Sequence, residues 1–322
     1  MQNTNIDFMG IRKIAAIVSI TLLIISAVSL GTRGLALGLD FTGGTLIEVE
    51  YSEAPDLEDV RSGLRAAGFD DKVVQNFGSD RAVIVRLAAD FDDDVVEEIF
   101  QVLQQSEFDV DLVRAEFVGA QIGDELREDG GLGLLLALIV VLIYVAMRFQ
   151  LKFGVASVLP LIHDVIIVLG IFSLFQLDFD LTVLAALLAV IGYSLNDTII
   201  VSDRIRENFR RMRKGGPYEV INASLNEVLM RTLITSGTTL VVLISLFLFG
   251  GEMIRNFALA LMIGVVVGTY SSIYVAANLL LTMKVDREDL IVPQKEGVKG
   301  EGEEEEPSEE IPDWLRRMEE KK

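Results

Sequence analysis

The most regular feature of this chain is a set of long apolar runs separated by polar segments. A helix needs roughly 20 mostly apolar residues, at about 1.5 Å rise each, to cross the hydrocarbon core of a bilayer. A run buried in a soluble core is the alternative, but recurrence along the chain favours a membrane protein. The last run is longer than one span needs, so we expect it to include a short segment at the outer surface. We predict six transmembrane helices, over residues 14–30, 132–148, 153–176, 181–201, 232–250 and 254–283.

Residues 31–131 are the one long polar segment between the predicted helices, and their pattern is that of a folded domain. Alternating apolar and polar positions predict strands, and a period of about 3.6 residues predicts helices. The elements follow the order β-α-β-β-α-β, which is the ferredoxin-like arrangement with both helices on one face of an antiparallel sheet. Arginines such as Arg86 are expected on its solvated surfaces. The strands are expected over 45–51, 73–77, 82–87 and 110–118, and the helices over 57–67 and 90–105.

The predicted fold class is a polytopic α-helical membrane protein with six transmembrane helices and one external α+β ferredoxin-like domain. The N-terminus and first helix occupy residues 1–30, the external domain 31–131, and the other five helices 132–283. Residues 284–322 form an acidic cytoplasmic tail, in which Glu-rich blocks flanked by Gly, Pro and Ser are typical of disorder.

The distribution of basic residues predicts the orientation. Short loops that are rich in Lys and Arg stay on the cytoplasmic side of a membrane. Basic residues precede the first helix, follow the second and sixth, and are densest between the fourth and fifth, whereas the opposite loops carry very few. Both termini are therefore predicted to be cytoplasmic. The first run also resembles a cleaved signal peptide, but its apolar core of about 17 residues exceeds the usual length, so we expect it to be retained.

Composition narrows the possible classes of function. Hydrophobic residues make up 51% of the chain and charged residues 24%, and the net charge of −20 is concentrated in the external domain and the tail. This acidity argues against nucleic acid as a partner, and solubility or a saline habitat explains it more simply than an acidic docking surface. The absence of cysteine excludes a disulfide scaffold. Without a phosphate-cradling glycine loop an ATPase is not expected, and we expect no catalytic residue, cofactor or metal.

Asp197 is a carboxylate within a predicted membrane span. Asp197 is inside the fourth apolar run, where an ionised acid costs about 2.5–3.5 kcal/mol on insertion. Arg231 begins the fifth helix at a similar depth, so we expect an ion pair, with Asn196 and Thr198 as further polar groups. Arg231 and Thr235 share one helical face, which predicts a polar, hydrated seam. The pair either conducts ions or only locks two helices together, and we expect conduction.

A second polar site is predicted in the third membrane helix. Pro160 leaves a carbonyl one turn earlier without its usual donor, which requires a polar neighbour or water. His163 and Asp164 follow near the middle of the span, and His163 is the only histidine in the chain. It is either a satisfied core side chain or a proton relay, and both remain open. Together with Asp197 and Arg231, these residues exceed what helix packing requires, so we predict an ion-coupling role.

Four segments of the chain resemble one known family. They are LGLDFTGGT at 37–45, HD at 163–164, IGYSLNDTIIVSDRIREN at 191–208 and RTLITS at 231–236. In this order and at these membrane positions they are similar to the SecF side of the SecD/SecF family of protein-export membrane proteins, over residues 6–283. The resemblance implies that Asp197 and Arg231 form the coupling pair. It also implies that Asp40, Gly43 and Gly44 belong to a motif joining the first helix to the external domain, where glycine permits a hinge.

The family resemblance also implies partners and an energy source. A subunit of this kind pairs with SecD, and the pair assists the SecY channel and its motor by pulling on emerging preproteins. A proton or sodium gradient supplies the energy, about 2.3 kcal/mol per charge per 100 mV from the potential alone. The chain would then lie in the cytoplasmic membrane, among its lipids. The alternatives are a stand-alone lipid or drug exporter of the resistance-nodulation-division superfamily and a structural scaffold in which Asp197 can be replaced without loss.

Overall fold

The computed structural model describes residues 5–69, 72–87, 93–105, 108–212, 214–286 and 289. Most of the predicted acidic tail and two basic loop residues, Arg213 and Arg287, lie outside these ranges. In chain order the elements are α1 (Arg12–Thr32), β1 (Ala36–Leu37), α2 (Leu39–Thr42), β2 (Gly44–Tyr51), α3 (Leu57–Ala66), β3 (Lys72–Phe77), β4 (Ser79–Leu87), α4 (Asp93–Leu103), β5 (Val110–Val118), α5 (Ala120–Arg148), α6 (Leu151–Phe175), β6 (Asp178–Phe179), α7 (Leu181–Arg211), α8 (Pro217–Phe249), a 3₁₀ turn (Glu252–Ile254), α9 (Arg255–Ser271), a π-helical turn (Ser272–Ala276) and α10 (Ala277–Thr282).

Within the part of the chain that the structure describes, six helical segments are long and apolar enough to cross a membrane, which agrees with the predicted number. They are α1, α5, α6, α7, α8 and the continuous segment formed by α9, the π turn and α10. That last segment runs from Arg255 to Thr282, so the expected surface segment is limited to the preceding 3₁₀ turn. Burial is greatest in α6, α7 and the last segment and least in α5 and α8. The interior of the bundle is therefore built by α6, α7 and α9.

Several helices extend beyond their apolar runs. α5 begins at Ala120, well before the run at 132, so residues assigned to the external domain by their polarity are helical. α7 continues to Arg211 and α8 begins at Pro217, so most of the predicted basic loop is helical too. The N–H of Gly216 donates to the Glu219 carboxylate, and a proline fits the first helical turn, where its missing N–H costs nothing. Polar residues end a membrane span without ending its helix.

The external domain is a four-stranded sheet with the strand order β3-β4-β2-β5, and all neighbouring strands are antiparallel. The elements follow the β-α-β-β-α-β order, which confirms the predicted ferredoxin-like fold. Alternate strand residues on one face, such as Ile47, Val49 and Val85, pack with Leu64 of α3 and Ile99 of α4 in a fully buried core. The opposite face of the sheet remains available for contacts with the rest of the chain.

A short link connects α1 to the external domain and lies against the ends of the membrane helices nearest that domain, which we call their outer ends. In this link β1 pairs in parallel with β6, so that Ala36 lies opposite Asp178 and Leu37 opposite Phe179. Phe41 of α2 stacks on Phe179 with ring centroids 5.8 Å apart, in an apolar cluster that includes residues of α6, α7 and α9. The external domain is therefore attached beside the start of α7.

Candidate ion-coupling site

Asp197 lies inside the bundle, and its carboxylate has no hydrogen-bond partner within the described ranges. Its helix, α7, packs against α6, α8 and α9, and its side chain has no solvent exposure. Neither carboxylate oxygen accepts a hydrogen bond from any residue that the structure describes. An ionised carboxylate in these surroundings loses several kcal/mol of solvation that nothing restores. The arrangement therefore suits a neutral, protonated Asp197.

The ion pair predicted between Asp197 and Arg231 is not formed in this structure. Arg231 is exposed, and the ion pairs of the described residues do not include it. α8 buries Thr232 and Ser236, and Arg231, one position before Thr232, lies about 100° away around the helix. Thr235 is exposed as well, so the predicted polar seam faces outward from this bundle.

The neighbours of Asp197 on α7 lie on different faces. Asn196 is exposed. Thr198 is buried, and its Oγ1 lies 2.8 Å from the Oγ of Ser272 in the π turn. Ser202, one turn further along, is buried with a hydroxyl that has no partner within the described ranges. Of the two polar neighbours predicted from the sequence, only Thr198 faces the interior.

Asp164 binds side chains from three helices. It has no solvent exposure, and its Oδ2 accepts hydrogen bonds from Ser194 of α7 at 2.5 Å and Ser271 of α9 at 2.7 Å. Its Oδ1 lies 2.8 Å from Nδ1 of His163. A buried carboxylate with this many partners is satisfied, so the predicted second polar site is a packed junction of α6, α7 and α9. Among the described residues, no group of three or more His, Cys, Asp or Glu side chains could hold a metal ion.

His163 has a partner at only one ring nitrogen. The residue is 4% exposed, and its Nε2 is buried with no hydrogen-bond partner in the part of the chain that the structure describes. The ring stacks with Tyr270, with centroids 6.5 Å apart. It also lines a cavity of about 300 Å³ between α1, α6 and the last membrane segment. This geometry is compatible with a proton relay between Asp164 and the cavity, which stays a prediction.

Three serines that complete the site, Ser194, Ser271 and Ser272, were not predicted from the sequence. Serine in a membrane helix commonly bonds its own backbone, so the residue type alone gave no signal. The spacing of these residues does give a signal. Ser194 and Thr198 are one helical turn apart, so they lie on the buried face of α7 beside Asp197. Adjacent Ser271 and Ser272 also interrupt the last apolar run, and a π turn begins there. Single π turns inside α-helices are frequent at functional sites.

A close helix contact holds the Asp164 junction together. A Cβ atom placed on Gly268 of α9 would lie 3.1 Å from the Cβ of Ser194 on α7. Only a very small residue allows two membrane helices to approach this closely. The contact keeps Ser194 and Ser271 within reach of the same carboxylate.

The residues of the predicted hinge motif are fixed by close contacts. Asp40 Oδ2 accepts a hydrogen bond from the N–H of Leu181, at the start of α7, at 3.0 Å. Gly43 and Gly44 have φ values of 65° and 113°, in the region that favours glycine. A Cβ on Gly123 would lie 2.7 Å from the nitrogen of Gly43, so α5 packs directly on the backbone of the link. The motif forms a docked turn, and its hinge motion stays a prediction.

The expectation of a solvated Arg86 was wrong. Its side chain is 18% exposed, and its Nη2 lies 2.5 Å from Oδ2 of Asp178, the first residue of β6. Gln75 of the external sheet donates to the same oxygen at 3.2 Å, and Asn256 of α9 donates to the Asp178 carbonyl at 3.1 Å. Asp178 is far from Arg86 in sequence, so no local pattern indicated the pair. The contact joins the external sheet to the outer end of the membrane bundle.

Comparison with known proteins finds one family. Residues 98–286 match the family described as protein export membrane protein SecD/SecF, C-terminal, and residues 28–55 match the SecD/SecF GG motif. The chain is 52% identical over 302 residues to the protein translocase subunit SecF of Vibrio alginolyticus, covering 91% of this chain and 95% of the relative. It is 50% identical over 291 residues to the corresponding subunit of Pseudomonas aeruginosa, covering 90% and 95%.

Solved structures share the fold, among them two of SecDF. The crystal structure of SecDF, a translocon-associated membrane protein from Thermus thermophilus, matches with a TM-score of 0.81 and 38% identity, covering 88% of this chain and 39% of that chain. SecDF in its super-membrane-facing form matches with a TM-score of 0.66 and 37% identity, over the same shares. This chain thus corresponds to 39% of the length of the SecDF chains. From these similarities, which cover the fold, the motifs and most of the sequence, we conclude that the chain belongs to the SecF side of the SecD/SecF family of protein-export membrane proteins.

Proposed function

We propose that this chain acts as the SecF subunit of a SecD–SecF complex and couples an ion gradient to protein translocation through Asp197. The observation that supports this most directly is a carboxylate in a membrane helix that is fully buried and has neither oxygen hydrogen-bonded to a described residue. A fixed structural role would be better served by a satisfied acid, such as Asp164. When a buried acid without a partner loses its proton, the surrounding helices must rearrange to stabilise the new charge.

Asp197 would alternate between two states. With a proton it is neutral and can remain unpartnered in the bundle. Without the proton, the buried charge needs a cation at close range, because breaking or lacking such a pair costs about 3–5 kcal/mol. Arg231 is the cation that we assign to this second state, and the pairing requires α8 to turn its exposed face towards α7. Pairing and release would thereby convert ion movement into helix movement.

α7 provides the route from this site to the outside. It is one continuous helix that carries Asp197. Asp40 of the link accepts a hydrogen bond from the backbone at its outer end, and Asp178, just before it, binds Arg86 of the external sheet. A tilt or shift of α7 would therefore act directly on the external domain. In this scheme the glycines of the link form the pivot, and Asp164 sets the resting position of α7 through Ser194.

The surface of the bundle leaves room for SecD. α5 and α8 bury the smallest shares of their apolar windows, and Val241, Val242 and Phe249 on α8 are largely exposed. SecD and lipids together would cover these faces, since apolar helices in a membrane associate by close packing. The SecY channel, its motor and exported preproteins enter the proposal through family membership. The basic residues at one end of the bundle support cytoplasmic termini and an external domain on the far side.

Translocation in vesicles that contain the Sec channel, its motor, SecD and this chain tests the proposal. Asp197→Asn keeps the size of the side chain but cannot exchange a proton. We expect gradient-stimulated translocation to fall to the rate without the subunit, while membrane insertion and SecD binding persist. Asp124→Asn, at an exposed acid on α5, is the matched control and should translocate normally. Wild-type rates with Asp197→Asn would identify a scaffold instead.

A further inference from the structure

A basic cavity opens at the end of the bundle where α5 ends and α7 leaves the apolar region. Its volume is about 480 Å³, and it takes no part in the coupling scheme. Its lining residues are Arg148, Asp203, Arg206, Glu207, Arg210 and Arg211. Arginines outnumber acids in this lining, so an anionic ligand is the chemistry that it favours.

The carboxylates of the cavity do not neutralise its arginines. Asp203 forms ion pairs with two of them, since its Oδ2 lies 3.0 Å from Arg148 Nη2 and its Oδ1 lies 3.2 Å from Arg206 Nη1. Arg210 is exposed, and the ion pairs seen within the described ranges do not involve its guanidinium. The cavity therefore keeps an excess of positive charge.

Two of the arginines are held in place before any ligand arrives. The guanidinium carbons of Arg148 and Arg206 lie 5.1 Å and 5.3 Å from the ring centroid of Phe149. The Arg206 side chain is only 17% exposed, and its Nε is buried without a hydrogen-bond partner in the described chain. A planar guanidinium that is already positioned loses little freedom when it binds the oxygens of a phosphate.

Bare apolar surface begins directly beside the cavity. Met147 and Leu151, which flank the turn that starts at Arg148, are each 84% exposed. Arginines next to lipid-facing side chains mark the level of the phospholipid headgroups. We propose that this cavity binds the phosphate of an anionic phospholipid whose acyl chain lies along the apolar surface of α5. A free phosphate would share the guanidinium contacts but not the apolar ones.

Such a lipid would connect the end of α5 to the end of α7. The external domain contacts the opposite end of α7, through the hydrogen bond of Asp40 to Leu181 and the ion pair of Arg86 with Asp178. A bound lipid would therefore limit the movement of α7 at one end while the other end moves. This inference concerns the inner end of the bundle alone and does not depend on ion coupling at Asp197.

Native mass spectrometry of the full chain, co-purified with SecD, tests the site. The probes are phosphatidylglycerol, phosphatidylcholine and inorganic phosphate. We expect saturable binding of phosphatidylglycerol, binding of phosphatidylcholine that is about tenfold weaker, and no binding of phosphate at the same concentration. The double variant Arg148→Gln/Arg210→Gln should bind phosphatidylglycerol about thirtyfold more weakly. The matched pair Arg65→Gln/Arg81→Gln, on the external domain, should bind like wild type.

The single variant Arg210→Gln separates loss of lipid binding from misfolding, because Arg210 is exposed and its replacement should not disturb the fold. It should lower the affinity for phosphatidylglycerol about fivefold with unchanged SecD binding and circular dichroism, whereas Arg210→Lys should retain it. Equal affinity for the two lipids, or an affinity that these substitutions leave unchanged, would overturn the proposal. Inorganic phosphate that binds as tightly as the lipid would also overturn it, and would show a general anion site.

Discussion

Arg86 Nη2 and Asp178 Oδ2 lie 2.5 Å apart and join the external sheet to the outer end of the membrane bundle. The two side chains are only 18% and 19% exposed, so the pair is better shielded from water than a surface ion pair. Asp40, from the link, binds the start of α7 close by. Both contacts adjoin the helix that carries Asp197, and both hold the external domain beside it.

Removing this contact should uncouple the external domain. We expect Arg86→Gln to reduce gradient-driven translocation severalfold, because a shift of α7 would no longer move the sheet. The opposite charges can be exchanged, so Arg86→Asp combined with Asp178→Arg should restore part of the rate. A double-mutant cycle on thermal unfolding should give a coupling energy of about 0.5–3 kcal/mol.

Arg81→Gln is the matched control for that experiment. Arg81 pairs with Glu50 at 3.7 Å and both side chains are more than half exposed, so its loss should change stability by less than about 1 kcal/mol and leave translocation intact. If the exchanged pair translocates no better than either single variant, the contact does not transmit movement.

A methyl group at Gly123 should separate α5 from the link. The added Cβ would lie 2.7 Å from the nitrogen of Gly43, which is backbone and cannot move aside like a side chain. We expect Gly123→Ala to destabilise the link by about 1–3 kcal/mol. Gly131→Ala, on the same helix, has no atom within 4 Å of the new Cβ and should not destabilise the protein, since alanine favours a helix over glycine.

Disulfide crosslinking can measure this separation, since the chain has no native cysteine. One engineered cysteine is placed on the link and one on α5. Crosslinking should fall in Gly123→Ala and stay at the wild-type level in Gly131→Ala. Equal crosslinking in the two variants would show that the link does not rest on α5.

Loss of one serine donor should weaken the Asp164 junction. Ser271→Ala leaves the buried carboxylate with one hydrogen bond fewer, and a group lost in this way costs about 1–3 kcal/mol. We expect a lower unfolding temperature in detergent. Ser245→Ala, at an exposed serine that bonds only the carbonyl one turn earlier, should change it little. If the two substitutions changed the unfolding temperature equally, the hydrogen bonds of Asp164 would not contribute to stability.

Local patterns were sufficient to predict the six spans and the order of elements in the external domain. Apolar runs and alternation record which residues are buried, and burial is a local property of helices and strands. Helix ends were less accurate, because the polar residues that precede 132 and follow 201 continue a helix in water as easily as in lipid. Polarity marks where a span ends, and capping groups mark where its helix ends.

The contacts of the site depended on tertiary structure. The sequence predicted Asp197 inside a membrane-length helix, and the structure buries it in the bundle, but the rotation of α8 about its axis does not follow from sequence. Arg231 and Thr232 are neighbours, yet one is exposed and the other is buried. The partner of Arg86 was likewise hidden, because Asp178 lies in β6, a two-residue strand far along the chain that only folding brings near the sheet.

Proton exchange at Asp197 is measured most directly by infrared difference spectroscopy of the complex with SecD in lipid, after a jump from acid to alkaline pH. We predict that a protonated carboxyl band disappears as the carboxylate forms. This band should be absent in Asp197→Asn and altered in Arg231→Met, because the ionised acid then lacks its cation. Identical difference spectra for wild type and Asp197→Asn would contradict ion coupling through this residue.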